Sequence, residues 1–309
     1  MVDLGAVLRR LPTRDSLVAA IDRIPVAREA VSPFVPGETV AAAVAAVGDV
    51  VTAGMSASVM YLPLLDAEGT SLLVHMQTIE ALDDDHLADG CDLTVDPVAL
   101  GLGRSTTAAV TADLTALCAA AGDVGMTVTM AGLRHDLVDE ALGIHAVVSE
   151  QFPDLGVTLG ANLHRTEGDC MDLGGVGARV RLIKREADEP ASVAFTRPAD
   201  VDKAYVRSLR LLMAAGARTI VATHDTRLID IAAALAERSD REPGHYEYQF
   251  RRGILADRAA ELVAAGSAVS ILVPFGPDWA TYMSRRISLH PANVGQVARA
   301  AVTRGGAAQ

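Results

Sequence analysis

From residue 55 onward the chain alternates between short apolar runs and longer amphipathic stretches. The runs at 57–62, 91–95, 126–130, 156–159, 179–183, 219–222, 246–250 and 269–273 read as strands. Helices are predicted to begin near Thr70, Ser105, His135, Thr166, Ala199, Thr226, Ala256 and Asp278. Eight strand–helix units in series signal a parallel sheet, and eight is the number that closes a (β/α)8 barrel. The competing arrangement is an open doubly wound sheet. It is weakened by the lack of a Gly-x-Gly-x-x-Gly turn after the first strand, since Gly101-Leu102-Gly103 holds only half of that pattern. Residues 1–54 read as a helical appendage, with Asp15 or Ser16 capping one helix and 37–39 starting the next; residues 55–309 form the barrel.

Composition narrows the functional classes. Half of the 309 residues are hydrophobic and 21% are charged, which suits a globular core. The 27 basic and 39 acidic residues leave a net charge of −12, which argues against nucleic acid and against a polybasic membrane patch. No apolar run reaches the ~20 residues of a membrane-spanning helix, and no apolar segment follows Arg9 and Arg10 as a secretion signal would require. Cys91, Cys118 and Cys170 are odd in number and lack metal-ligand spacing. They read as reduced, buried thiols of a cytoplasmic protein with no metal site.

In a barrel the chemistry gathers where strands end. Four segments stand there. Arg179-Val-Arg181-Leu-Ile-Lys184 brings Arg181 and Lys184 to one mouth, where two cations suit an anionic ligand or a reduced flavin. They would serve equally as solvated charges. Thr223-His224-Asp225 can donate to phosphate or a ring carbonyl, or simply cap the next helix. In Tyr246-Glu-Tyr-Gln249-Phe250-Arg251-Arg252, alternation separates an aromatic face from a polar face carrying Glu247 and Gln249. Finally, Pro274-Phe-Gly-Pro turns sharply into a helix bearing Trp279, Tyr282, Arg285 and Arg286. Guanidinium forks of this kind bind carboxylates, though two solvated surface arginines would look the same.

Taken in this order and spacing, the four segments resemble the proline dehydrogenase family, most clearly from about Leu159 to Asn293. The strongest motifs are Ala222-Thr-His-Asp225, Tyr246-Glu-Tyr-Gln-Phe250 and Val273-Pro-Phe-Gly276 through Arg285-Arg286. The resemblance implies a distorted FAD-binding (β/α) barrel that oxidises proline to pyrroline-5-carboxylate. It implies that Arg181 hydrogen-bonds the flavin near N5 as the catalytic residue. Lys184, Thr223, His224, Gln249 and Phe250 would hold the cofactor, and Arg285 and Arg286 the substrate carboxylate. A quinone or another carrier would accept the electrons, without stable membrane insertion.

Several positions depart from the family pattern. Asp92 stands where a lysine is usual, Ala131 near a usual acid, Gly160 for a glutamine, Leu272 for a tyrosine and Leu289 for a glutamate; Arg251-Arg252 replaces Leu-Tyr, and Arg185-Glu186-Ala187 replaces Gly-Ala-Tyr. Kept arginines beside an altered ring pocket suggest a carboxylate-bearing, amino-acid-like amine other than proline, with Asp92, Arg251 and Arg252 as candidate new polar contacts to the substrate. Ordinary proline dehydrogenase is the alternative. Further readings are a non-catalytic flavin-binding barrel and a cofactor-free aldolase with Lys184 as its Schiff-base amine.

Overall fold

The computed structural model describes residues 31–64, 69–174 and 178–289, with backbone only at 174 and 287–289. Eight parallel strands close a barrel in sequence order. They are β1 (Ser56–Tyr61), β2 (Asp92–Val95), β3 (Thr127–Met130), β4 (Gly156–Gly160), β5 (Arg179–Ile183), β6 (Arg218–Ala222), β7 (Tyr246–Arg251) and β8 (Val269–Phe275). The seam between β8 and β1 runs in register from Ser56 opposite Ser270 to Tyr61 opposite Phe275. All eight predicted strands form, with ends shifted by one or two residues.

The helices are α1 (Val40–Thr52), α2 (Thr70–Asp84), α3 (Thr107–Asp123), α4 (Val138–Ser149), α5 (Thr166–Gly174), α6 (Pro198–Ala215), α7 (Thr226–Arg238), α8 (Ala256–Ala264) and α9 (Trp279–Leu289). Local chemistry starts several of them: the Thr39, Thr106 and Asp225 side chains accept from backbone amides of the first turns of α1, α3 and α7. A short 3-10 turn, His135–Leu137, precedes α4, so the helix predicted from His135 begins later. The proposed caps Asp15 and Ser16 lie outside the described residues.

Helix α1 is not a loose appendage in space. Its face of Ala43, Val47 and Val50 is buried against β1 and β8. It fills the wall position that the last helix occupies in a regular (β/α)8 ring. Helix α9 instead lies across the C-terminal mouth. There Trp279, Ala280, Tyr282 and Met283 form a separate apolar cluster with Phe34, Val35, Met60 and Leu62. The chain reaches this position through Gly276, whose φ of 125° and whose Cβ direction, 2.6 Å from the Leu62 carbonyl oxygen, exclude a side chain.

Strand alternation places Val59, Leu93, Val128, Val180, Leu182 and Val221 against the helices, where they form the main core. The opposite face is unusual. Barrel interiors are ordinarily filled by branched apolar side chains. Here Ser58, Asp92, Thr129, Arg179, Arg181 and Glu247 meet in a network of hydrogen bonds and ion pairs.

Candidate functional site

A cavity of about 1550 Å³ opens at the C-terminal ends of the strands, under α9. Arg181 from β5 reaches its floor. Ile183, Lys184 and Glu186 form one side, with Thr223, His224 and Asp225 after β6 beside them. Gln249 and Arg251 come from β7, Leu272 from β8, and Tyr282, Arg285 and Arg286 from α9. Residues from β5 to α9, more than a hundred positions apart, thus share one chamber because parallel strands all end on the same side.

The floor is fixed from below. Asp92, 4% exposed, accepts from Arg179 Nη1 at 2.7 Å and Arg181 Nη2 at 2.9 Å. It also accepts from the hydroxyls of Ser58 at 2.6 Å and Thr129 at 2.7 Å. Burial alone would raise the Asp92 pKa, but the two guanidinium groups and the hydroxyls outweigh it and hold the carboxyl below the usual range. Burial lowers the pKa of Arg181, Arg179 adds to this and Asp92 opposes it. Arg179 also meets Glu247 at 3.6 Å, while Glu247 accepts from Ser270 at 3.1 Å and Ser270 from Gln249 at 3.1 Å. Two carboxylates and two guanidinium groups therefore balance in the barrel interior. The Nε of Arg181 has no hydrogen-bond partner although it is buried.

The walls are ion-paired too. Lys184 Nζ lies 2.6 Å from Asp202 and 2.9 Å from Asp225. Asp225 is driven below the ordinary carboxyl range, chiefly by hydrogen bonds from Arg227 and then Lys184. The backbone N–H of Arg251 donates to His224 Nε2 at 3.0 Å, which fixes that nitrogen as an acceptor. Arg286 Nη2 donates to Glu186 at 2.7 Å. Arg285, one residue away and ~100° around the helix, is exposed but still borders the chamber. Among the described residues there is no cluster of side chains able to hold a metal ion.

Of the residues singled out from the sequence, Arg181, Lys184, Thr223, His224, Gln249, Phe250, Arg251, Arg285 and Arg286 all line this cavity. Asp92 and Arg252 do not. Asp92 sits below the chamber, spent on Arg179 and Arg181. Arg252 turns away and donates to the carbonyl oxygens of Ser32 and Pro33, at 2.6 and 2.9 Å. Strand parity explains both corrections: Glu247, Gln249 and Arg251 share the inner side of β7, so Arg252 cannot; Asp92 lies two residues before Thr94, too deep to reach the mouth. Two residues that sequence reasoning passed over do matter. Arg179 has the same parity as Arg181, and Glu186 belongs to a tripeptide read only as a departure. The Leu289 side chain lies outside the described residues, while Ala131 and Leu272 do line the cavity. Cys91, Cys118 and Cys170 are free and buried. No helix among the described residues is long and apolar enough to cross a membrane.

Comparison with known proteins agrees with this geometry. The family model described as proline dehydrogenase matches residues 182–299. Proline dehydrogenase 1 of Bacillus subtilis (strain 168) is 29% identical over 266 residues, covering 84% of this chain and 86% of that protein. The proline dehydrogenase of Deinococcus radiodurans is 35% identical over 161 residues, 52% of each chain. Proline utilization A (PutA) from Bdellovibrio bacteriovorus, solved after inactivation by N-propargylglycine, superposes with a TM-score of 0.76 at 16% identity. That match covers 93% of this chain and 35% of the other, so the chain spans about a third of that longer protein and shares its fold. The family match and these relatives make the chain similar in sequence to the proline dehydrogenases, and the closed barrel gives it the fold of the proline utilization A structures.

Proposed function

We propose that this protein is an FAD-dependent amino-acid dehydrogenase that takes hydride from the carbon beside the nitrogen of proline or a close secondary-amine analogue. The observation that carries the reading is the buried Arg181 at the cavity floor, its Nε without a partner, facing an arginine-bearing helix across the chamber. The chamber exceeds the ~300–1,000 Å³ of an ordinary small-ligand pocket, leaving room for a flavin and a small substrate together. When bound, the flavin supplies the hydride acceptor.

The chain's own residues supply placement and field. Arg181, steadied by Asp92 and Ser58, presents a fixed positive charge where electron density would grow in the reduced ring. Gln249 offers an amide beside it. Lys184, Thr223 and His224 extend the polar wall along which phosphates and ribose would lie. Arg286, aimed by Glu186, and Arg285 hold the substrate carboxylate, so the carbon–hydrogen bond is aligned before transfer. Trp279, Tyr282 and Met283 cover the mouth and keep water from the reacting atoms.

The expectation of a substrate other than proline rested partly on Asp92, Arg251 and Arg252 as new contacts, and of these only Arg251 reaches the chamber. Proline is therefore the first substrate to test. Ala131 and Leu272 leave apolar space in the wall for a larger ring or N-substituent. The aldolase reading is not favoured, because the Lys184 amine it needs as a nucleophile is engaged by Asp202 and Asp225. Electrons would leave through a quinone or a similar diffusible carrier.

The test is an absorbance spectrum of the purified protein followed by anaerobic titration with proline and N-substituted amino acids. A flavin spectrum bleached by one of these amines is expected. A protein that binds no FAD, or whose flavin no amine bleaches, refutes the proposal; the second result would favour a non-catalytic flavin binder.

A further inference from the structure

Arg251 closes β7 with its side chain in the cavity wall. No carboxylate lies within ion-pairing distance of it among the described residues, and its Nε is buried without a hydrogen-bond partner. Its charged neighbours are Arg286 and Glu186. Burial and the field of Arg286 both lower the Arg251 pKa. Burial works against the charge of Arg286 as well, but Glu186 outweighs it. The single carboxylate of Glu186 is engaged by Arg286 Nη2, while Arg286 Nε and Nη1 and the Tyr282 hydroxyl have no hydrogen-bond partner. Two sheltered guanidinium groups thus share one acid. An unpaired buried cation beside a second cation is costly, and an arriving anion removes the cost.

We infer that the substrate carboxylate seats between Arg251 and Arg286, with Arg251 a specificity-determining residue and Arg285 an outer partner. The inference deepens the dehydrogenase reading and rests on it. It differs from a grip by the two adjacent arginines of α9 alone. Those two side chains occupy different surroundings, Arg286 half-buried against Glu186 and Arg285 exposed. Arg251 arrives from a strand, whose position is set by the sheet, and faces Arg286 across the seat. Two forks from different elements can clamp a carboxylate from both edges. Tyr282, whose ring centroid lies 5.2 Å from the Arg286 guanidinium carbon, keeps that group from swinging away.

The experiment compares Arg251→Leu, Arg251→Lys and Arg285→Leu in the FAD-loaded protein. The first readout is the change in flavin absorbance on titration with cyclopentanecarboxylate, which has ring and carboxylate but no oxidisable nitrogen. The second is steady-state kinetics with the amine that bleaches the wild-type flavin. Arg251→Leu is expected to weaken the carboxylate at least tenfold and raise KM similarly, with kcat changed less. Arg251→Lys should recover part of the loss, and Arg285→Leu should have the smaller effect. Flavin content and melting temperature near wild type confirm that each variant folds. Unchanged carboxylate affinity in both Arg251 variants, with the flavin bound and bleached normally, overturns the inference while leaving the dehydrogenase reading intact. Failure of every protein, wild type included, to be bleached overturns the dehydrogenase reading instead.

Discussion

Replacing Asp92 by asparagine keeps the shape of the side chain and removes the central charge of the barrel interior. In the native protein its two oxygens receive two arginines and a ring of hydroxyls from β1, β2 and β3, all within 3.3 Å. After the substitution, Glu247 is the remaining acid of that network, 3.6 Å from Arg179 and shared with Ser270. Removing one partner of a buried ion pair typically costs about 3–5 kcal/mol, because the stranded charge cannot recover its hydration. That is a large part of the 5–15 kcal/mol that usually separates folded from unfolded states. At roughly 2 °C per kcal/mol for a chain of this size, melting should fall by roughly 6–10 °C. Ser58→Ala removes one neutral hydroxyl from the same network and should cost about 1 kcal/mol. Thermal unfolding followed by circular dichroism separates the two. An Asp92→Asn protein melting within about 2 °C of wild type would refute the view that this carboxylate anchors the floor. A double-mutant cycle with Arg179→Gln should show coupling above about 1 kcal/mol, since the two side chains are in contact.

Three further outcomes follow from other sites. Burial lowers the His75 pKa to about 4, and the contact of the ring with the Ser71 carbonyl only partly opposes this, so the folded protein keeps it neutral. The unfolded chain binds the proton from about pH 6.5 downward; stability is therefore full above that pH and falls toward pH 4, by about 2–3 kcal/mol at pH 4.5. Urea unfolding at pH 7 and 4.5 should show this drop, and His75→Leu should shrink it; an unchanged drop in the variant contradicts the assignment. Arg252→Ala should leave KM within twofold while lowering stability by about 1 kcal/mol, because its bonds go to the carbonyls of Ser32 and Pro33. Gly276→Ala should cost about 2–4 kcal/mol, as a Cβ there meets the Leu62 backbone at a positive φ. It should raise KM more than it lowers kcat, because α9 shifts with the turn; native melting and kinetics in the Gly276→Ala protein would show that the turn tolerates displacement.

Much of the fold is legible in the sequence because each βα unit is a local pattern. The runs around Val59, Leu93, Val128 and Val180 alternate with amphipathic stretches, and eight of them leave little choice but a closed barrel. The site is partly legible for a related reason: parallel strands deliver their last residues to one side, so Arg181, Thr223 and Gln249 had to gather. Partnership across the barrel is not local. Nothing near Asp92 in the chain announces Arg179, which lies 87 positions away, so a carboxylate at a strand start looks available for substrate. The inward turn of Arg251 and the outward turn of Arg252 are readable from parity with Glu247 and Gln249, a signal hidden when the two arginines are treated as one motif. The role of α1 in the wall is not readable, because an amphipathic helix before the first strand does not say which gap it will fill.

That exchange of helices has an evolutionary consequence. With α1 closing the wall between β8 and β1, α9 packs over the mouth of the barrel, not along its wall. The element that carries Tyr282, Arg285 and Arg286 thus stands outside the ring of wall helices. Mutations on its inner surface can retune which molecules are admitted while the scaffold beneath stays whole. A barrel arranged this way is suited to changing its diet, and grafting a different closing helix onto the same eight strands is the natural route to redirect it.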